Sequence, residues 1–377
     1  PDGDQDIIKC GSYNGNTNSL PEIDLGFEPQ WLMIKRATGG AGSWEMHDVM
    51  RGISTGGTSG RLFADTSGAE TTPTIINVTS TGFKIVSNNS YVNASGSAYI
   101  YMAIRRGPLA PPEAGTEVFN TVLQGTATTN GPITGFVTDF ALLGERVSSD
   151  KFYTGSRLQG NKYLRTPTTS AENTQNNQIW DRMDGAWANN ISSGYTLWGW
   201  KRAPGYFDVV IYDGSSSAGT LDVKHNLAAK PELIIAKRRN SVNAWRAITS
   251  ITASNFLTAG TISTAGLSTQ TYSSTSYLPS EPTDTSLIVN TDTGIGSVGN
   301  YIAYLFASLD GVSKVSSYTG NGSSQTINAG FTTGARFILI KRTDDSGDWY
   351  FWDTARGVVT GNDPHLSLNT TAAEVSD

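Results

Sequence analysis

The sequence predicts an all-β chain of tandem, sandwich-sized domains, and two observations carry that prediction. One is internal repetition. Gly26-Phe27 followed by Trp31-Leu32-Met33-Ile34-Lys35-Arg36 returns near the far end as Gly330-Phe331 followed by Phe337-Ile338-Leu339-Ile340-Lys341-Arg342. The other is composition. With 41 glycines, 16% charged residues and abundant Ser, Thr and Asn, the chain suits short strands and polar turns better than helices.

The repetition extends beyond the apolar runs. Trp44, Asp48, Arg51-Gly52 and Ala69-Glu70 recur as Trp349, Asp353, Arg356-Gly357 and Ala373-Glu374. Fainter copies lie between, at Gly135-Phe136 with Phe140 to Arg146, and at His225-Asn226-Leu227 with Leu233 to Arg238. The chain therefore reads as tandem units of about a hundred residues each. Closing segments stand at Ala98 to Ala103, Gly194 to Trp200 and Asn300 to Ala307. No fourth closing segment follows Glu374, so the last unit is expected to be incomplete and the chain a fragment of a longer polypeptide.

The predicted domains are residues 1–107, a proline-rich linker at 108–115, then 116–204, 205–311 and the incomplete 312–377. The linker prolines fix φ and favour an extended spacer. The second domain keeps Ala171-Glu172 but replaces Trp-x-x-x-Asp with Lys151 to Gly155; the third keeps Trp245 but lacks the Arg-Gly and Ala-Glu signatures.

Within the units, Tyr99 to Ile104 alternates rings with Ile and Met, the period of a strand. Trp31 to Ile34 and Phe337 to Ile340 are continuously apolar, which predicts central strands covered on both faces. Tyr318 to Ile327 holds Asn-Gly between two strand-like runs and predicts a hairpin. The Ser/Thr-rich stretch 261–280 predicts an exposed loop. Short joints at Ala203-Pro204-Gly205 and Asp310-Gly311 make neighbouring domains abut.

Several function classes are disfavoured at this level. A net charge of −6 gives no clustered cations to neutralise phosphates, so no nucleic-acid partner is expected. The apolar runs are too short to cross a membrane, and no charged segment followed by a hydrophobic stretch opens the chain to suggest a signal peptide. The single cysteine, Cys10, permits no internal disulfide framework. His47, His225 and His365 fall at different places in their units, without metal-ligand spacing. No nucleophile elbow, phosphate loop or EF-hand pattern is present, and no cofactor is expected.

The candidate site residues are the repeated ones. Cutting a glycosidic bond requires two carboxylates, and Asp48, Glu70, Asp353 and Glu374 are the repeated acids available. Asp48 stands three residues before Arg51, as Asp353 does before Arg356, which suits a charge-assisted brace across a turn. Glu70 and Glu374 suit the fixing of a loop. Features copied with the framework more often maintain a fold than catalyse, so a structural brace of Asp48, Arg51, Glu70, Asp353, Arg356 and Glu374 is the favoured reading. Trp180, Trp187, Trp198 and Trp200 crowd the end of the second unit. Alternation puts Trp198 and Trp200 on one face, either displayed for stacking on sugars or, the favoured reading, buried.

These motifs resemble a repeat of tailed-bacteriophage structural proteins, abundant in marine phages including those of cyanobacteria. They comprise Tyr-x-Gly-Asn-Gly, Gly-Phe before an apolar run ending Ile-Lys-Arg, Trp-x-x-x-Asp-x-x-Arg-Gly, and a closing Asn-x-x-Gly-x-x-Tyr-Ile. The first unit carries them through Gly26, Phe27, Trp31, Lys35, Arg36, Trp44, Asp48, Arg51, Gly52, Ala69, Glu70, Asn93, Gly96 and Tyr99, and the last as far as Glu374. The resemblance implies a non-enzymatic virion protein built from β-sandwich modules, jelly-roll or concanavalin-like, three complete and one truncated. Its place would be a tail fibre, spike or appendage. Its partners would be other virion proteins and a host surface glycan or receptor, and its state a homo-oligomer, a trimer being one form open to it. The alternatives are a capsid decoration or knob protein, a polysaccharide depolymerase, and a bacterial extracellular adhesin or filament subunit.

Overall fold

A computed structural model describes residues 7–123, 131–147, 152–175, 180, 182–186, 194–259, 262–358 and 361–376. Strands make up 40% and helix 3%, so the chain is all-β. Each sheet is built from strands close together in the sequence.

In the first domain a five-stranded sheet runs in the order Ile8–Asn14, Ala98–Arg105, Pro29–Arg36, Trp44–Asp48, Leu62–Phe63. A three-stranded sheet of Glu22–Asp24, Gly82–Ile85 and Ile76–Thr79 completes a sandwich. The period of two sends Leu32, Ile34, Tyr99 and Ala103 inward, where all four are fully buried. The opposite face, with Trp31 and Met33, is only half-buried. The expected central strand is thus fully covered on one face and, among the described residues, only partly covered on the other.

A tyrosine pair, one ring buried and the other half-buried, repeats between domains. Tyr99 stacks on Tyr13 with ring centroids 5.1 Å apart, and Tyr301 stacks on Tyr212 at 5.3 Å. The Tyr99 hydroxyl donates to the Ser90 carbonyl at 2.7 Å, which satisfies the polar tip of a ring sunk in the core.

The second domain contributes one six-stranded sheet among the described residues, in the order Asn173–Thr174, Lys162–Arg165, Tyr153–Ser156, Phe140–Glu145, Tyr195–Trp200, Phe119–Leu123. Gly144 holds the place taken by Lys35 in the first unit, and a Cβ there would collide with the Phe152 ring. This accounts for the loss of the Lys-Arg ending in this unit.

The third domain is again a sandwich. Its larger sheet runs Phe207–Asp213, Asn300–Phe306, Leu233–Arg238, Arg246–Thr249, Asn255–Ala259, Ser268–Thr271, and Thr220–Lys224 pairs with Ser286–Asn290 in the smaller one. Val210, Ile234, Ile248 and Leu305 meet Val223, Leu287 and Val289 between them. The Ser/Thr-rich stretch is not simply an exposed loop. Ser268–Thr271 pairs with Asn255–Ala259 and Leu278 is fully buried, since hydroxyl side chains suit an edge strand as well as a turn.

Among the described residues the last domain has four strands, Phe337–Lys341, Trp349–Asp353, Pro364–Ser367 and Val375–Ser376. Phe337–Lys341 is the edge strand rather than a central one. The expected hairpin at Tyr318 to Ile327 is absent; both of those residues are about half exposed, at 51% and 49%, and no strand occurs there. Its counterpart Ile8–Asn14 is a strand because it pairs with Ala98–Arg105. In the last domain no described strand occupies that neighbouring place, so the segment has no ladder to join.

The domains share a core. Phe140 of the second packs on Tyr304 and Phe207 of the third, at centroid distances of 4.4 and 5.8 Å. Trp200 and Trp198 pack edge-on against Phe337 and Phe351 of the last, at 5.5 and 5.0 Å. The third and last are linked by Leu267 N–H to the Thr343 carbonyl and Gly347 N–H to the Thr264 carbonyl, at 2.8 and 2.7 Å.

Candidate functional site

The repeated acids and arginines come together twice, in the same geometry. At the end of Trp44–Asp48 the chain turns sharply. Asp48 accepts the Arg51 backbone N–H at 2.8 Å and the Arg51 Nε–H at 2.6 Å, while Arg51 Nη1 donates to Glu70 at 3.1 Å. In the last domain Asp353 accepts Arg356 N–H at 3.0 Å and Nε–H at 2.5 Å, and Arg356 Nη1 donates to Glu374 at 3.0 Å. One guanidinium therefore clamps a turn to a loop nearly twenty positions onward.

The copies differ in burial. The Arg51 and Asp48 side chains are 23% and 19% exposed, whereas those of Arg356 and Asp353 are both fully buried. Asp353 also accepts the Trp198 indole N–H at 2.8 Å, and the Arg356 guanidinium lies over the Trp198 ring, 5.4 Å from its centroid. The second domain redeploys its matching acid: Glu172 accepts Arg239 Nε–H of the third domain at 2.7 Å and Lys162 at 3.2 Å. Asp48→Asn, in the more exposed copy, is expected to cost about 1–2 kcal/mol, read as a shift in the urea midpoint, and Asp353→Asn more.

Trp198 and Trp200 lie on one face and are 0% and 6% exposed. Both rings are buried where the second and last sheets meet, the arrangement favoured over display for sugar stacking, and Trp200 also forms part of a cavity wall. Trp180 is also buried; Trp187 lies outside the described residues.

A second charged cluster, which the repeated motifs do not mark, sits where the first three domains meet. Arg202 is 1% exposed and donates through both Nη atoms to Glu28, each at 2.8 Å. Its backbone N–H donates to Asp139 at 2.8 Å, and Asp208 lies 3.8 Å from Nη1. Arg106 approaches Glu28 and Asp208 at 3.5 and 3.6 Å. Burial opposes ionisation of Asp139, but Arg202, Arg106 and Arg157 outweigh it and hold the carboxyl below its ordinary range. The same carboxylates raise the affinity of Arg202 for its proton despite its desolvation. One signal existed in the sequence. Arg106 and Arg202 each end a basic pair at the close of their unit.

His225 adjoins this cluster, next to Asn226, whose N–H donates to Asp208 at 2.7 Å. It is 3% exposed, and burial pushes it down from 6.5 to about 4. Between those values the unfolded chain binds a proton that the folded chain refuses, so stability falls as pH falls through that window. The full loss is on the order of 3 kcal/mol. His225→Gln should flatten the stability curve between pH 6.5 and about 4, measured by urea unfolding at stepped pH.

A cavity of about 1350 Å³ opens between the last three domains, walled by Phe119, Trp200, Trp245, Tyr304 and Phe337. Of the carboxylates at its margin, Asp344 is paired with Arg342 at 2.9 Å and Asp348 accepts the Asn369 amide at 2.7 Å. Among the described residues no group of three or more His, Cys, Asp or Glu is placed to hold a metal ion, and no helix is long and apolar enough to cross a membrane.

A family model described as a domain of unknown function, DUF7483, matches residues 5–108 and 114–377. No curated protein matches the chain.

Proposed function

The chain belongs to the DUF7483 family, described as a domain of unknown function. We propose that it is a non-enzymatic structural protein of a tailed-phage virion, part of a tail fibre, spike or appendage that reaches the host surface. One observation carries the non-enzymatic part. The repeated acids, the sequence's candidates for hydrolysis, are engaged by arginines in both copies: Asp48 and Glu70 by Arg51, Asp353 and Glu374 by Arg356. A general acid or base has to present an oxygen to the substrate, and each of these carboxylates already holds a turn or loop through at least one oxygen. The virion assignment rests on the resemblance of the repeats.

With Trp198 and Trp200 buried, contact with a host glycan falls to other surfaces. Such contact would be weak per copy and gain strength from several copies engaging together. A density map of the intact particle bearing the chain tests the assignment. Placement on a tail tip or appendage is the expected result; placement on a capsid shell or a non-viral filament overturns host attachment. Release of sugar fragments from a host polysaccharide by the purified chain would overturn the non-enzymatic reading.

A further inference from the structure

One sheet face occurs in all four domains and is left open in one of them. Pairing registers make the copies equivalent: Met33 sits opposite Met102 as Leu142 does opposite Trp198 and Ile235 opposite Tyr304. In the second and third domains this face is buried against a neighbouring domain, and in the last Trp349 and Phe351 are buried while Phe337 and Leu339 are half-buried; the contacts run largely through the same face of the neighbour, as those of Phe140 with Tyr304 and Trp198 with Phe351 show. The repeated tryptophan records the difference. Trp245 and Trp349 are 2% and 3% exposed, while their counterpart Trp44 is 38% exposed.

In the first domain the register lines up Cys10, Met102, Met33 and Met46 side by side across four adjacent strands. Ile100, on the same face, is 43% exposed, and the three methionines are half-buried. Three of the chain's five methionines stand in this row. A contiguous open apolar surface marks an interaction site, and flexible, polarisable thioethers adapt to an uneven partner.

We infer that this face is a self-association surface, covered by the same face of other copies of the chain. The occupant follows from the interfaces already present: within one chain, the three counterparts of this face pack on one another, so the complementary surface for this kind of face is the face itself. Association between chains would bury the copy that the described residues leave most open and cut the hydrophobic surface exposed to water. The inference does not depend on the virion reading.

The test uses the full chain in sedimentation experiments over a concentration series, with Cys10 as a built-in reporter because it is the only thiol and lies in the methionine row. The expected result is a species heavier than the 40.2 kDa chain, together with Cys10 labelling by a thiol reagent that slows as concentration rises. Met33→Glu should return the sedimentation to that of a single chain and restore fast labelling, with an unchanged near-ultraviolet dichroism spectrum showing that the fold is kept. A wild-type chain that stays single, with labelling independent of concentration, overturns the inference without recourse to a variant. So does an oligomer that survives Met33→Glu with Cys10 still freely reactive.

Discussion

Replacing Glu28 with glutamine is expected to lower the folding stability of the chain by about 3–5 kcal/mol, because it strands Arg202 in the interior without its two-pronged partner. The geometry sets the size of the effect. Arg202 is 1% exposed and Glu28 4%, so water cannot replace the lost carboxylate, and Asp139 and Asp208 answer only part of the charge. Urea unfolding followed by intrinsic fluorescence measures the loss. The double variant Glu28→Gln with Arg202→Met should recover much of it, since removing both members of a buried pair is far less costly than removing one. A single variant within about 1 kcal/mol of wild type, a value ordinary for an exposed pair, would mean that water reaches the cluster.

Trp198→Ala is expected to destabilise by a similar amount, about 3–5 kcal/mol, through the cavity it leaves. Two further contacts go with the ring. Its N–H bond to Asp353 is lost, and the Arg356 guanidinium loses the aromatic face beneath it. Trp198→Phe separates these contributions: it keeps an aromatic ring against Phe351 but withdraws the donor from Asp353, and its cost should fall well below that of alanine. Equal costs for the two substitutions would show that packing between the second and last sheets contributes little.

How much of this was legible in the sequence depends on distance along the chain. The brace is legible because Asp48 and Arg51 are three residues apart and the same spacing recurs at Asp353 and Arg356. That Trp198 and Trp200 share a face is legible because a strand alternates. What covers that face is not, since Asp353 lies 155 positions from Trp198. The ionic cluster is hidden for the same reason: Glu28 and Arg202 are 174 positions apart, and no local rule of propensity or spacing links them. The continuously apolar runs misled differently. Trp31 to Ile34 and Phe337 to Ile340 read as strands covered on both sides, yet one has an open face and the other an open edge. An apolar run records that a face is meant to be covered, and does not say whether the same chain covers it.

The account's central claim is that charges and aromatic faces lock the domains into one cooperative body. Calorimetry of the full chain, wild type beside Glu28→Gln and Trp198→Ala, tests it most directly. The account predicts one dominant unfolding transition whose midpoint falls in both variants, although one change lies where the first three domains meet and the other between the second and last. Separate transitions, each variant moving only its own, would contradict it.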